Sequence, residues 1–153
     1  MVESGELQTD VPDYLESDRK TYQDFMAHLP SDGSIVKVFS NPSVGTMAFS
    51  WCVFGEVDEF LAWARRVDME FLDEDLESMR SNLLSLLSQY SWYLAGNTWL
   101  WKNGTDLTSI PEEWEYEQPE RYLAVTQRIE AFAGAFATQY GDLIRTARRK
   151  LAF

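Results

Sequence analysis

Apolar residues keep a three-and-four spacing longest between Asp73 and Gly96, where Leu76, Met79, Leu83, Leu86, Leu87, Tyr90 and Leu94 fall on one helical face. From Leu83 the apolar face widens through Leu84, Trp92 and Tyr93, which predicts a central helix covered by protein on most sides. A second seam begins at Pro119, well placed for a helix start, and runs through Tyr122, Val125, Ile129, Phe132, Ala133, Phe136, Tyr140, Leu143, Ile144, Ala147 and Leu151. It predicts a long amphipathic helix in which Gly134 and Gly141 mark close packing or a bend. Shorter helical patterns cover Tyr22, Phe25, Met26 and Leu29, with Ser17 as N-cap and Asp18 in the first turn, and Val57 to Val67, with Phe60, Leu61 and Ala64 along one side. Gly96 with Asn97 closes the central helix.

Between these lie strand candidates. Ile35 to Ser40 and Thr46 to Phe54 flank the short loop Asn41 to Gly45, and the second alternates, with Met47, Phe49, Trp51 and Val53 on a large face expected to meet the core. Thr98 to Ser109 contains Asn103-Gly104, the signature of a two-residue type I′ hairpin that sets Leu100 opposite Leu107 and Lys102 opposite Thr105. Another helical turn ended by Asn-Gly is the rival reading. Pro111 to Glu120 reads as an acidic connection. The expected fold is α+β, predominantly helical: long central and C-terminal helices packed with a small antiparallel sheet of one or two hairpins. Residues 1–14 are polar and aperiodic and read as a flexible arm, leaving 15–153 as one globular domain.

A chain of 153 residues buries about two-thirds of its unfolded surface, so neither a cofactor nor a disulfide is needed to explain folding. The formal net charge of −12 is uneven. Residues 1–118 carry twenty-two acids against seven bases, and residues 119–153 three acids against six bases. Such a surface repels phosphate backbones and anionic headgroups, so direct nucleic-acid or membrane binding is not expected. The basic run Arg145 to Lys150 reads as charge complementing a helix C-terminus and pairing with the acidic body. With no basic-then-apolar leader and no apolar run of membrane-spanning length, the chain as given reads as cytosolic.

Most chemistry finds no purchase. One Cys and one His cannot build a zinc site, and no GxxxxGK[ST], GxGxxG or GxSxG occurs. The Asp73-Glu74-Asp75-Leu76-Glu77 run resembles a calcium loop only superficially, since the leucine stripe starts inside it and no glycine turn follows. His28 reads as a packing or helix-end residue, and Cys52 as a small buried hydrophobe. No catalytic residue is nominated, although a carboxylate pair across a cleft is a chemistry that twenty-five acids permit. Five tryptophans, Trp51, Trp63, Trp92, Trp99 and Trp101, lie in or beside apolar segments and read mostly as core.

Trp114 differs, because Glu112, Glu113, Glu115, Glu117 and Tyr116 surround it. It either tucks inward as a plug or stands outward as an anchor, where aromatic area binds and carboxylates steer a basic partner. The first expectation is therefore a non-catalytic acidic protein that blocks a basic surface on another protein, as inhibitors and immunity proteins do with nuclease-like toxins. Its contact residues would be Trp114, Tyr116, Glu112, Glu113, Glu115 and Glu117, followed by Asp73, Glu74, Asp75 and Glu77. The second is a small-molecule-binding or enzymatic domain with a pocket between sheet and central helix, lined by Trp51, Trp92 and Trp99. Homodimerisation through the C-terminal seam is compatible with either.

Overall fold

The computed structural model describes residues 2–153, with side chains described from Tyr14 onward. The order is α1 (Val2–His28), α2 (Ser34–Phe39), β1 (Phe49–Ser50), α3 (Val53–Ala64), a 3-10 turn (Val67–Met69), α4 (Glu74–Gly96), β2 (Trp99–Leu100), β3 (Leu107–Ser109), α5 (Glu113–Glu117) and α6 (Pro119–Lys150). The fold is α+β and predominantly helical, with one small antiparallel sheet. The arm expected over residues 1–14 falls almost wholly outside the described side chains. Ser17 is not an N-cap, because α1 already runs through it.

Helices α4 and α6 form the frame. They are antiparallel, since Asp73 at the head of α4 meets Lys150 at the end of α6 and Tyr93 near the foot of α4 lies 5.6 Å from Phe132. Asp73 caps α4 by accepting the Leu76 N–H at 3.0 Å. The predicted stripe is the buried one, with Leu76, Leu83, Leu87, Tyr90 and Leu94 all fully inside and Leu84 nearly so. Trp92 departs from the expectation: it is 80% exposed, so the widened apolar face is not covered all round. On α6 the seam from Val125 to Ala147 faces the core, with Ile144 at its margin, so the face considered for self-association is spent inside the fold. Phe39 from α2 meets Tyr90 edge-on at 4.8 Å, and Tyr90 stacks on Phe132 at 5.0 Å, locking α2, α4 and α6 together. The end of α1 joins them where the Tyr140 hydroxyl donates to the Leu29 carbonyl at 2.6 Å.

The strand candidates need correction. Ile35 to Phe39 is helical, and its buried residues, Ile35, Val36 and Phe39, follow helical rather than alternating spacing. Thr46 to Phe54 contributes only Phe49–Ser50, after which the chain turns into α3. Met47 and Trp51 are therefore exposed instead of facing the core. The sheet order is β1-β3-β2, so β1 pairs with the Asn-Gly hairpin and not with the segment that precedes it.

The hairpin itself is present with a shifted register. Trp99 pairs with Ser109 and Leu100 with Thr108, and the Trp101 N–H donates to the Leu107 carbonyl at 2.8 Å, leaving residues 102–106 as the loop. A type I′ turn needs positive φ at both Asn103 and Gly104, but only Gly104 has it, at 80°. Asn103 instead accepts from the Thr105 N–H and hydroxyl, closing a longer turn.

Close packing at a glycine is found at Gly45 and not at Gly134, where an added Cβ would meet nothing within 4 Å. At Gly45 it would lie 2.7 Å from the terminal carbons of both Ile110 and Ile129, while the Gly45 carbonyl accepts the Ile110 N–H at 3.0 Å. Gly45→Ala is expected to cost about 1–2 kcal/mol in urea unfolding, because two buried isoleucines must move together. A variant as stable as the parent would show that this corner is loosely packed.

Candidate functional site

The sheet register places two tryptophans on one face. Residues directly opposite share a face, so Phe49, Thr108 and Leu100 point one way, and Ser50, Leu107, Ser109, Trp99 and Trp101 the other. Phe49 and Thr108 are buried on the first face while Leu100 beside them is 52% exposed, and Ser109 is buried on the second, so neither face is wholly inner or outer. The second face presents Trp99, 51% exposed, and Trp101, 38% exposed. Trp101 is held in place, because its indole Nε1–H donates to the Ser109 hydroxyl across the strands at 3.0 Å.

From Ser109 the chain passes Pro111 and enters α5. A single helical turn can bury one side chain while its neighbours point away, and here the buried one is Trp114, only 2% exposed. Trp99 meets it edge-on at 5.7 Å, and the Arg121 guanidinium lies 3.7 Å from its ring centre. Of the two readings open for this segment the inward plug is the one found, and Trp114 is not the exposed anchor. Trp114, nominated as a contact residue, is inside, while Trp51, Trp92, Trp99 and Trp101, read mostly as core, are exposed. Trp63 alone follows the expectation in part, half-buried and stacked on His28 at 3.6 Å.

What α5 does present is Tyr116, 81% exposed, with Glu112, Glu113, Glu115 and Glu117 around it. None of these glutamates has an ion-pair partner among the described residues. Two depressions flank Trp101. One, of about 480 Å³, lies between Trp99, Trp101 and Lys102 on the hairpin and Glu112 and Glu113 at the start of α5. The other, of about 320 Å³, has Trp101, Tyr116 and Tyr122 as aromatic walls and Glu112 and Glu115 as acidic ones. The Tyr122 hydroxyl titrates above its ordinary value, first because it is partly withdrawn from water and then because Glu115 and Glu112 disfavour a second negative charge beside them.

The second group of nominated acids is used differently. Asp73 and Asp75 both hold Lys150, at 3.1 and 2.8 Å. Burial pushes the Asp73 carboxyl up, but the Leu76 N–H and the Lys150 ammonium outweigh it and hold the group below its ordinary range. Glu77 is tied to Arg80 and to the Phe71 N–H. Only Glu74 is exposed without a described partner. These residues lie at the Lys150 end of α6 and the α5 glutamates at its Pro119 end, roughly 45 Å apart for a helix of this length. One compact contact patch cannot take in both groups.

The aromatic pocket expected between sheet and central helix does not assemble from its three tryptophans. Trp92 lines a groove with Tyr93, Arg128 and Phe132, Trp99 lines the depression beside α5, and Trp51 stands half exposed just past β1. Trp101 and Tyr122 were missed as surface residues; the alternation of Trp99 and Trp101 before Asn-Gly held the signal that they share one face, but not how far that face is covered.

His28 sits in the last turn of α1 with Nδ1 2.9 Å from the Asp24 carbonyl, as a helix-end packing residue. Cys52 is exposed rather than buried, its sulfur 3.7 Å from an Asp106 oxygen that also accepts from the Ser50 hydroxyl at 2.6 Å. Among the described residues no three His, Cys, Asp or Glu side chains gather as metal ligands, and no helix is long and apolar enough to cross a membrane. No protein-family model, curated protein or solved structure matches this chain.

Proposed function

We propose that this is a non-catalytic binding protein whose acidic, aromatic face occupies a basic surface of another protein, in the manner of an inhibitor or of an immunity protein against a nuclease-like toxin. The observation that supports it is the surface formed by the hairpin and α5, where the exposed Trp99, Trp101 and Tyr116 stand beside four glutamates with no described counterion. An uncompensated acidic patch raises the encounter rate with a basic partner, and rigid aromatic area beside it supplies the short-range contact. On this reading Tyr116 and Trp101 are the contact aromatics, Trp114 is buried against Trp99, and Glu112, Glu113, Glu115 and Glu117 provide the field. The charged N-terminus of α4, largely paired with Lys150 and Arg80, belongs to the scaffold.

The test is a pull-down from the source cell's lysate with the full chain and with a Glu112→Gln, Glu113→Gln, Glu115→Gln, Glu117→Gln variant, at low and high salt. A single basic protein retained near stoichiometry by the parent, lost at high salt and depleted at least about tenfold with the variant is the expected result. Equal retention by the variant would remove this face from the site. Retention of nothing at either salt would overturn the reading.

A further inference from the structure

The smaller depression has an unusual combination of walls. Three aromatic side chains, Trp101, the exposed Tyr116 and Tyr122, line an open depression of about 320 Å³ together with the Glu112 and Glu115 carboxylates. Aromatic faces carry a negative quadrupole, which attracts a cation whose hydration shell is weak enough to shed, and carboxylates at the margin add a full charge of the same sign. A small hydrated metal ion is poorly served there, since no set of three ligating side chains gathers among the described residues. An anion meets two carboxylates, and a neutral apolar guest would desolvate them without return.

The cage is also prepared for a guest. The Trp101 indole is pinned by its hydrogen bond to Ser109, so its ring need not be ordered on binding. Neither Glu112 nor Glu115 is in an ion pair with a described Lys or Arg, although Glu112 also borders the neighbouring depression, which Lys102 lines. Arg121, the nearest cation in sequence, is engaged on the Trp114 ring.

We infer that the pocket between Trp101, Tyr116 and Tyr122 is a binding cage for an alkylammonium group. The head of a lysine side chain on a partner, or a free quaternary ammonium compound, presents that chemistry; the lysine source rests on the partner reading above, and the cage itself does not.

Tetramethylammonium is the probe, titrated into the full chain at constant ionic strength and followed by the assigned Trp101 indole N–H and the backbone amides of residues 112–122 in nitrogen-15 NMR. Neopentyl alcohol, similar in shape and uncharged, is the control. Saturable shifts confined to these signals, with the cation bound about tenfold more tightly than the alcohol, are expected. Tyr116→Ala, at an exposed position that leaves the core untouched, should weaken the cation at least about fivefold, as should Glu112→Gln with Glu115→Gln. Equal binding of the alcohol, or an unchanged affinity in Tyr116→Ala, overturns the cage. A lysine-rich peptide and its acetylated form separate the sources: displacement of the unmodified peptide by tetramethylammonium puts a lysine head in the cage. If the peptide binds while tetramethylammonium does not, the cage falls and the partner reading stands. If tetramethylammonium binds and no basic polypeptide does, the cage stands as a site for a free ammonium compound and the partner reading falls.

Discussion

Arg80→Ala is expected to lower the unfolding free energy by about 3–5 kcal/mol, a large part of the roughly 5–15 kcal/mol typical of a whole domain. Arg80 is only 5% exposed. Its Nε and Nη2 donate to both oxygens of Glu77 at 2.8 and 2.7 Å, and its Nη1 donates to the Ala64 carbonyl at the end of α3. Glu77 in turn accepts the Phe71 N–H at 2.9 Å, so one ion pair ties α3, the connection after it and α4 together. Truncation strands a partly buried carboxylate and a helix-end carbonyl at once, which is why the cost exceeds that of a surface pair. Lysine cannot reproduce the fork, so Arg80→Lys should recover only part of the loss. Glu77→Leu with Arg80→Met removes both charges and keeps the volume, and should lie well above Arg80→Ala in a urea titration followed by circular dichroism. A double variant as unstable as Arg80→Ala would refute the stranded-charge account and leave the unpaired Ala64 carbonyl and Phe71 N–H as the cause.

The elements that could be read from the chain are those whose pattern persists. Over the twenty-three residues of α4 and the thirty-two of α6, helical and alternating periods diverge too far to be confused. In Ile35 to Phe39 they barely diverge, and the short loop Asn41 to Gly45 before another strand candidate suits a hairpin as well. The parity held a clue, because alternation would have put Lys37 on the face of Ile35 and Phe39, whereas the helix exposes it. The site was half legible. A run of glutamates around Trp114 and Tyr116 announced an acidic aromatic segment, yet flanking charge says nothing about which side chain a single helical turn will bury. How far Trp99 and Trp101 are covered depends on β1, whose partner strand lies more than fifty residues away, and on α5, and no local pattern carries that.

The same limit applies to Asp18, whose role is set by residues 72 and 73. Read locally it is a first-turn acid; in the fold it is fully buried inside α1, and its two oxygens accept the N–H groups of Leu72 at 2.7 Å and Asp73 at 2.9 Å. It fixes the entry to α4 and places negative charge at the positive end of that helix's dipole. Asp18→Ala should therefore cost about 3–4 kcal/mol, because two backbone donors lose charge-assisted acceptors and no water replaces them easily. The better helix propensity of alanine returns only about 0.7 kcal/mol. Asp18→Asn keeps the shape but turns an N–H₂ toward one of the donors, so it should retain less than half of the contribution. Asp24→Ala is the control on the same helix: its pair with Lys20, 2.9 Å long and exposed, should be worth less than about 0.5 kcal/mol. Native-state hydrogen exchange adds a readout that global stability does not give, since the Leu72 and Asp73 amides should lose protection in Asp18→Ala before the amides at the centre of α4 do. If those two amides exchange as slowly in the variant as in the parent, the carboxylate is not what holds them, and α4 must be positioned by its apolar stripe alone.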